Sequence, residues 1–172
     1  MADARTAIMI TLDPAHEGGY QKMTNDRANW SGGQVGLGIL VGTKYGITAL
    51  DMPGADIANL TVPVAIAYYE QNYWKNFYSQ IELQEAANKL FDLGVLFGVG
   101  TAVKVLQQSL GCPADGEFGP ATLSLLNSDC GKDPGGTLQK YKDAMHAHAQ
   151  KVAANNPNDV ADLPDWNRRI DS

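Results

Sequence analysis

The chain has 172 residues, enough for one domain or for a catalytic lobe with a small accessory lobe, and long enough to bury a core without metal or disulfide support. Its net charge of −6 argues against nucleic acid, whose phosphates require clustered Lys and Arg, and against a helix that attacks anionic membranes through a basic face. A neutral or partly anionic polysaccharide, gripped by hydrogen bonds and aromatic faces, stays compatible with this composition.

The N-terminal "MADARTAIMITLDPAHE" has neither the basic start nor the long apolar run of a secretory leader, and no stretch reaches transmembrane length. A soluble monomer with no stable membrane insertion is expected. Residues 3–15 read as a short helix, with Ile8, Leu12 and Ala15 at helical spacing. From Gly18 to Gly46 the texture turns to glycine, asparagine and β-formers, "GGYQKMTNDRANWSGGQVGLGILVGTKYG", the composition of hairpins and glycine turns. The run "DMPGAD" is a loop.

Thr61 caps the next helix, with Pro63 in its first turn and Val62, Ile66, Tyr69 and Tyr73 on one face. A helix over Gln84 to Phe97 turns Ala87, Leu90, Phe91 and Gly94 inward. Gly94 costs about 1 kcal/mol against alanine there, which predicts close helix packing. "TAVKVLQQSLGCPADGEFGPATLSLLNS" reads as helix, glycine-rich turn, helix. "CGKDPGGT" is expected to be a loop before a long helix from Leu138 to Ala154, and the tail holds one short turn around Trp166.

Cleavage of a glycosidic bond needs a carboxylic acid at the leaving oxygen and usually a second carboxylate. In "HEGGYQKMTND", Glu17 at a helix end beside Tyr20 suits the acid, and Asp26 beyond the glycine turn suits the second group. On its own, a helix-end glutamate is more often solvated surface. Trp30, in a polar glycine loop, is the best aromatic face for a sugar, with Tyr45, Tyr73 and Trp74 as further candidates that also suit a core. His146 and His148 lie two apart on a helix, so their side chains diverge and no metal site is expected. No cofactor is implied.

"HEGGY" followed by "ND", a "GG" and "TKYGIT", then "YEQNYW" and "LFDLGVLFG", resembles glycoside hydrolase family 108, the lysozyme-like N-acetylmuramidases of phages and bacteria. The resemblance spans residues 7–98 and carries the family's catalytic glutamate onto Glu17. It implies an α+β, mainly helical, lysozyme-like fold with a small β-hairpin element near the N-terminus. The turn after "EGGY" is longer than usual, "QVGLGILV" looks inserted, and Leu96 stands where the family often has asparagine. Eight residues separate Glu17 from Asp26, the spacing of the broader phage-type lysozymes. Their threonine has no match at its usual place, which is Gly32, so Thr43 is the substitute and Thr48 the runner-up. Tyr20, Trp30, Tyr45, Thr48 and Tyr73 are the expected substrate contacts.

"VKVLQQSLGCPADGEFGPATLSLL" resembles the helical peptidoglycan-binding repeat, with Asp115, Phe118 and Thr122 in its "DG.FGP.T" core. The resemblance divides the chain into a muramidase lobe, 1–98, and a helical C-terminal lobe, 99–172, that either binds peptidoglycan or is purely structural. Cys112 and Cys130 flank this motif and are candidates for a bridge, or for two thiols of a reducing cytoplasm. The expected function is hydrolysis of the β-1,4 bond between N-acetylmuramic acid and N-acetylglucosamine by a phage endolysin, made in the host cytoplasm and released to the periplasm and cell wall. The alternatives are an injected antibacterial muramidase, a transglycosylase, or a non-catalytic peptidoglycan-binding or phage tail and baseplate module.

Overall fold

The computed structural model describes residues 1–13 and 19–172, with all side chains there except those of Pro157 and Asn158. The fold is α+β and mainly helical. Its elements are α1 (Ala4–Thr11), β1 (Tyr20–Gln21), β2 (Thr43–Lys44), β3 (Ile47–Thr48), α2 (Val62–Asn72), α3 (Gln84–Phe97), α4 (Val99–Ser109), α5 (Pro120–Lys132), α6 (Pro134–Asn155) and α7 (Leu163–Asp171), joined by 3-10 turns. Among the described residues no helix is long and apolar enough to cross a membrane. They form two compact units, one of residues 1–7 and 72–172, the other of residues 8–71.

The larger unit is built on α6. Asp133 accepts from Gly136 N at 2.9 Å and Pro134 opens the helix, where its missing amide hydrogen costs nothing. The segment "CGKDPGGT" is therefore not the expected loop: Cys130, Gly131 and Lys132 end α5, Pro134 opens α6 ahead of the two glycines, and Asp133 alone stands between the helices. Thr137, Tyr141, Met145, Ala149 and Ala153 recur every four residues as the buried stripe of α6, which packs on α4, α5 and α7. The Tyr141 hydroxyl donates to Ala102 O on α4 at 3.0 Å. The aromatic part of this core joins Trp74 to Tyr78 and Phe91, so Trp74 is a packing residue whose indole N–H donates to Ser79 Oγ at 2.9 Å.

The tail is more ordered than a short turn. α7 is docked because the Arg169 guanidinium meets the Asp92 carboxylate of α3 at 3.0–3.1 Å, with both side chains buried. Lys89, also buried, donates to Arg169 O at 3.0 Å, and burial pushes its ammonium down to about 8. Ala2 joins the same core, and Asp3 trades hydrogen bonds with Gln84 at 2.7 and 3.1 Å, tying the first residues to α3. The 98/99 junction expected from the sequence falls inside this unit, between α3 and α4, which pack on each other.

The sequence left the cysteines open between a bridge and two thiols, and the expectation of close packing at Gly94 needs correction. Cys112 and Cys130 are unbonded thiols. Cys112 Sγ donates to Gln107 O at 3.5 Å, while burial, with the charge of Asp129, pushes the Cys130 thiol up to about 11, which makes it a poor partner for exchange. Gly94 is buried, but a Cβ there would meet Val99 at an ordinary 3.6 Å, so helix packing does not demand the glycine.

In the smaller unit, β1, β2 and β3 form an antiparallel sheet in that order, pairing Gln21 with Thr43 and Thr43 with Thr48. Tyr45 (φ 55°) and Gly46 (φ 73°) both take left-handed backbone in the two-residue turn between β2 and β3. That geometry matches the twist of the strands it joins, and its usual occupants are Asn, Asp or Gly at the first place and Gly at the second. Ile47 of β3 and Ile57 of the 3-10 turn that follows are fully buried, and Ala65, Ile66 and Tyr69 are the buried face of α2. α2 ends at Asn72, one residue short of Tyr73.

Candidate active site

Glu17 and His16 lie outside the described residues. Asp26 and the chain entering β2 are held by a small polar network. Asp26 caps the 3-10 turn Arg27–Asn29: one carboxylate oxygen accepts from Ala28 N at 2.9 Å, the other from Asn29 Nδ2 at 2.6 Å. Asn29 itself is fully buried. Its side-chain oxygen accepts from Met23 N at 3.1 Å, and its carbonyl accepts from Val41 N and Gly42 N at 2.8 and 3.0 Å. One asparagine thus fixes the Asp26 turn to the chain entering β2, where Thr43 follows. Sequence reasoning passed over Asn29; its signal was the Asp-x-x-Asn spacing in "DRAN", where the two side chains can close a turn.

Thr43 is buried, and its hydroxyl has no hydrogen-bond partner among the described residues. A buried hydroxyl without a partner loses its solvation with nothing in return, at a cost of about 1–3 kcal/mol. Thr48 differs in kind. Its hydroxyl donates to Asp51 Oδ2 at 2.7 Å and accepts from Leu50 N at 3.1 Å, and its amide donates to the same carboxylate at 2.9 Å. Thr48 therefore closes a turn, and of the two threonines only Thr43 keeps an uncommitted hydroxyl.

The aromatic candidates have mixed roles. The Tyr20 hydroxyl donates to Val41 O at 2.7 Å, and its ring lies against Gly42, where any Cβ would meet the ring and Gln21 O below 3 Å. Gly42 is thus required by this close approach. Tyr20 is still 42% exposed, so a ring face is open to a ligand. Trp30 donates to Thr24 O at 3.0 Å and bridges to Leu40, which sets its half-buried ring across the loop. Tyr45 accepts from the Tyr69 hydroxyl at 2.8 Å through its carbonyl, and Lys44 Nζ stands 5.4 Å from its ring centre. Left-handed backbone at so large a residue costs roughly 1–3 kcal/mol, a strain that concentrates at functional sites. Tyr73 belongs to the other unit.

The C-terminal motif is organised by a second residue that sequence reasoning did not single out. Gln107 is buried on α4 and its Nε2 donates to Asp115 Oδ1, Thr122 Oγ1 and Glu117 O at 2.8, 3.1 and 3.2 Å, while its Oε1 accepts from Gly116 N at 2.9 Å. Asp115 also accepts from Glu117 N at 2.8 Å, and these bonds hold its carboxyl below the usual range. Asp115 and Thr122 are thereby committed to holding the turn. Phe118, buried with its ring edge-on to Tyr78 at 5.1 Å, lines a cavity. The signal for Gln107 was present in the "LQ" that opens the repeat. His146 and His148 do diverge: the first bonds Asn167 and Asp171, the second sets its ring 5.7 Å from Phe97.

The structure of SagA from Brucella abortus superposes with a TM-score of 0.63 over 97% of this chain and 92% of that one, at 21% identity, and so shares its fold. No curated protein matches the chain. The family model described as glycosyl hydrolase 108 matches residues 12–98, half of the chain, including the sheet, Asp26, Asn29 and Thr43. The chain belongs to the glycosyl hydrolase 108 family and is a glycoside hydrolase that acts on peptidoglycan as a muramidase.

Proposed function

We propose that Glu17, Asp26 and Thr43 carry the hydrolysis of the β-1,4 bond between N-acetylmuramic acid and N-acetylglucosamine. The observation that carries this reading is the buried, unpartnered Thr43 hydroxyl next in sequence to the segment that Asn29 ties to Asp26. Glu17 donates its proton to the leaving oxygen as the bond breaks. The Asp26 carboxylate, with both oxygens fixed yet retaining acceptor capacity, accepts a proton from water, and the Thr43 hydroxyl orients that water. Attack from the face opposite the leaving group inverts the anomeric centre, giving an α-anomer first. Tyr20, Trp30 and Tyr45 supply ring faces to the sugars.

Glu17→Gln keeps the side chain's shape and removes the acid. General acid catalysis contributes about 10²–10⁴ in rate, so clearing of purified cell walls should fall at least a hundredfold while Tm stays unchanged. Wild-type clearing by this variant would remove Glu17 from the mechanism. NMR of the product before mutarotation checks the anomer.

The biological setting we propose is that of a phage endolysin, supported by the phage-type spacing of Glu17 and Asp26. Such an enzyme waits in the host cytoplasm and reaches the wall on release. Cytoplasmic expression should leave a Gram-negative host intact until the inner membrane is permeabilised, and lysis without permeabilisation would exclude this setting.

A further inference from the structure

We infer that the cavity beside the Asp115–Phe118 turn binds a short peptide bearing both a free carboxylate and a free amine, as the stem peptides of peptidoglycan do. The inference rests on peptidoglycan being the substrate. The cavity is a cleft open to solvent with a volume of about 570 Å³ within the larger unit, in the usual range for a small-ligand site. Its apolar lining includes Val103 and Phe118, both buried, and the half-buried Phe77 and Val99. Two exposed residues of opposite charge, Lys75 and Glu117, also line it.

The polar groups there are uncommitted. The Glu117 carboxylate and the Asn76 carboxamide make no hydrogen bond among the described residues, and the Lys75 ammonium donates to Asn72 O at 2.9 Å with two hydrogens left. Lys75 and Asn76 suit a carboxylate, Glu117 an ammonium, and the valines small aliphatic side chains. A neutral sugar has no use for the charge pair, and the aromatic face it would need is limited because Phe118 is buried edge-on to Tyr78. The wall is also built in advance. Gln107 holds the turn through its bonds to Asp115, Gly116 and Glu117, so Glu117 is presented from a fixed backbone and less ordering is needed on binding.

The test is amide NMR of the full-length ¹⁵N-labelled protein titrated with a synthetic stem tetrapeptide containing a diamino acid, and separately with an N-acetylglucosamine trimer. The peptide should shift Gly100, Gly116, Glu117 and Phe118 saturably. Gly100→Leu should weaken binding about tenfold or more: a Cβ there meets nothing within 4 Å, and leucine favours the helix, so the variant should fold. Lys75→Gln and Glu117→Gln should each weaken it roughly three- to fivefold, the effect of one partly exposed charge contact. Absence of peptide shifts at these amides, unchanged affinity in all three variants, or saturable shifts there from the trimer instead would overturn the inference. Wall clearing by the same wild-type sample separates the readings. A lytic protein that ignores the peptide overturns the cavity alone, and a non-lytic protein that binds it upholds the cavity while the hydrolase reading fails.

Discussion

A threonine hydroxyl can be retained for stability or at the expense of it, and the surroundings of Thr43 and Thr48 decide which applies. The Thr48 hydroxyl makes one bond as donor and two as acceptor within its turn, so its removal would loosen that turn. Thr43 makes none among the described residues, and its burial is a cost. Thr43→Val keeps the shape and removes the unsatisfied group, so the folded protein should gain up to about 1–3 kcal/mol. Wall-clearing activity should nevertheless fall about tenfold or more, within the range of a positioning hydrogen bond lost from a transition state. Denaturant melts and turbidity assays read the two effects on one sample, and a variant that is both less stable and fully active would return Thr43 to a structural role. The sequence could name both threonines as candidates but could not rank them on chemistry, because the ranking depends on what each hydroxyl meets. The same holds for Asn29 and Gln107, polar hubs whose partners lie up to 13 and 15 residues away and leave no periodic trace.

Helix positions were legible where the buried stripe is continuous and less so where the helix start or finish depends on a cap or a distant partner. α3 runs over Gln84–Phe97 as its apolar spacing predicts. α6 begins four residues before the expected Leu138 because the Asp133 cap and Pro134 outweigh two glycines. α7 exists as a helix through the Asp92–Arg169 pair, which spans 77 residues and cannot be seen in the tail itself. Removing one member of such a pair leaves a buried charge without its counterion, usually a loss of about 3–5 kcal/mol. Gly94 shows the limit of arguing from cost alone. Its position in α3 suggested close packing, yet a Cβ would meet Val99 only at 3.6 Å. Gly94→Ala should therefore raise stability by about 0.5–1 kcal/mol, the intrinsic helix preference, and appear as a higher Tm with no loss of wall clearing. A lower Tm would mean that the α3–α4 junction has less room than its geometry indicates.

At the scale of the molecule, the smaller unit is a continuous insertion, residues 8–71, between two segments of the larger one. Asp26 and Thr43 therefore belong to one unit and the C-terminal motif to the other, so the stability of the larger unit can be probed with substitutions that leave Asp26 and Thr43 in place. His146 offers such a probe. Burial alone would lower its pKa, but hydrogen bonds to Asn167 and Asp171, with the charges of Asp171 and Asp143, raise it above the usual value. Lys142 stands on the same side, donating to Asp171 O at 2.6 Å. A histidine with a raised folded-state pKa contributes stability that is fully present below about 6.5, its unfolded value, and is lost as pH rises through the folded value. His148 opposes it, since burial and Lys151 lower its pKa and favour the neutral ring. The two titrations partly cancel in the wild type, so the signature lies in the variant. His146→Gln should melt well below wild type at pH 5, where the imidazolium holds α7 to α6, and the gap should narrow by pH 8.5. Thermal melts at matched ionic strength measure it, and a gap that stays constant or widens with pH would show that the His146–Asp171 contact contributes by shape alone.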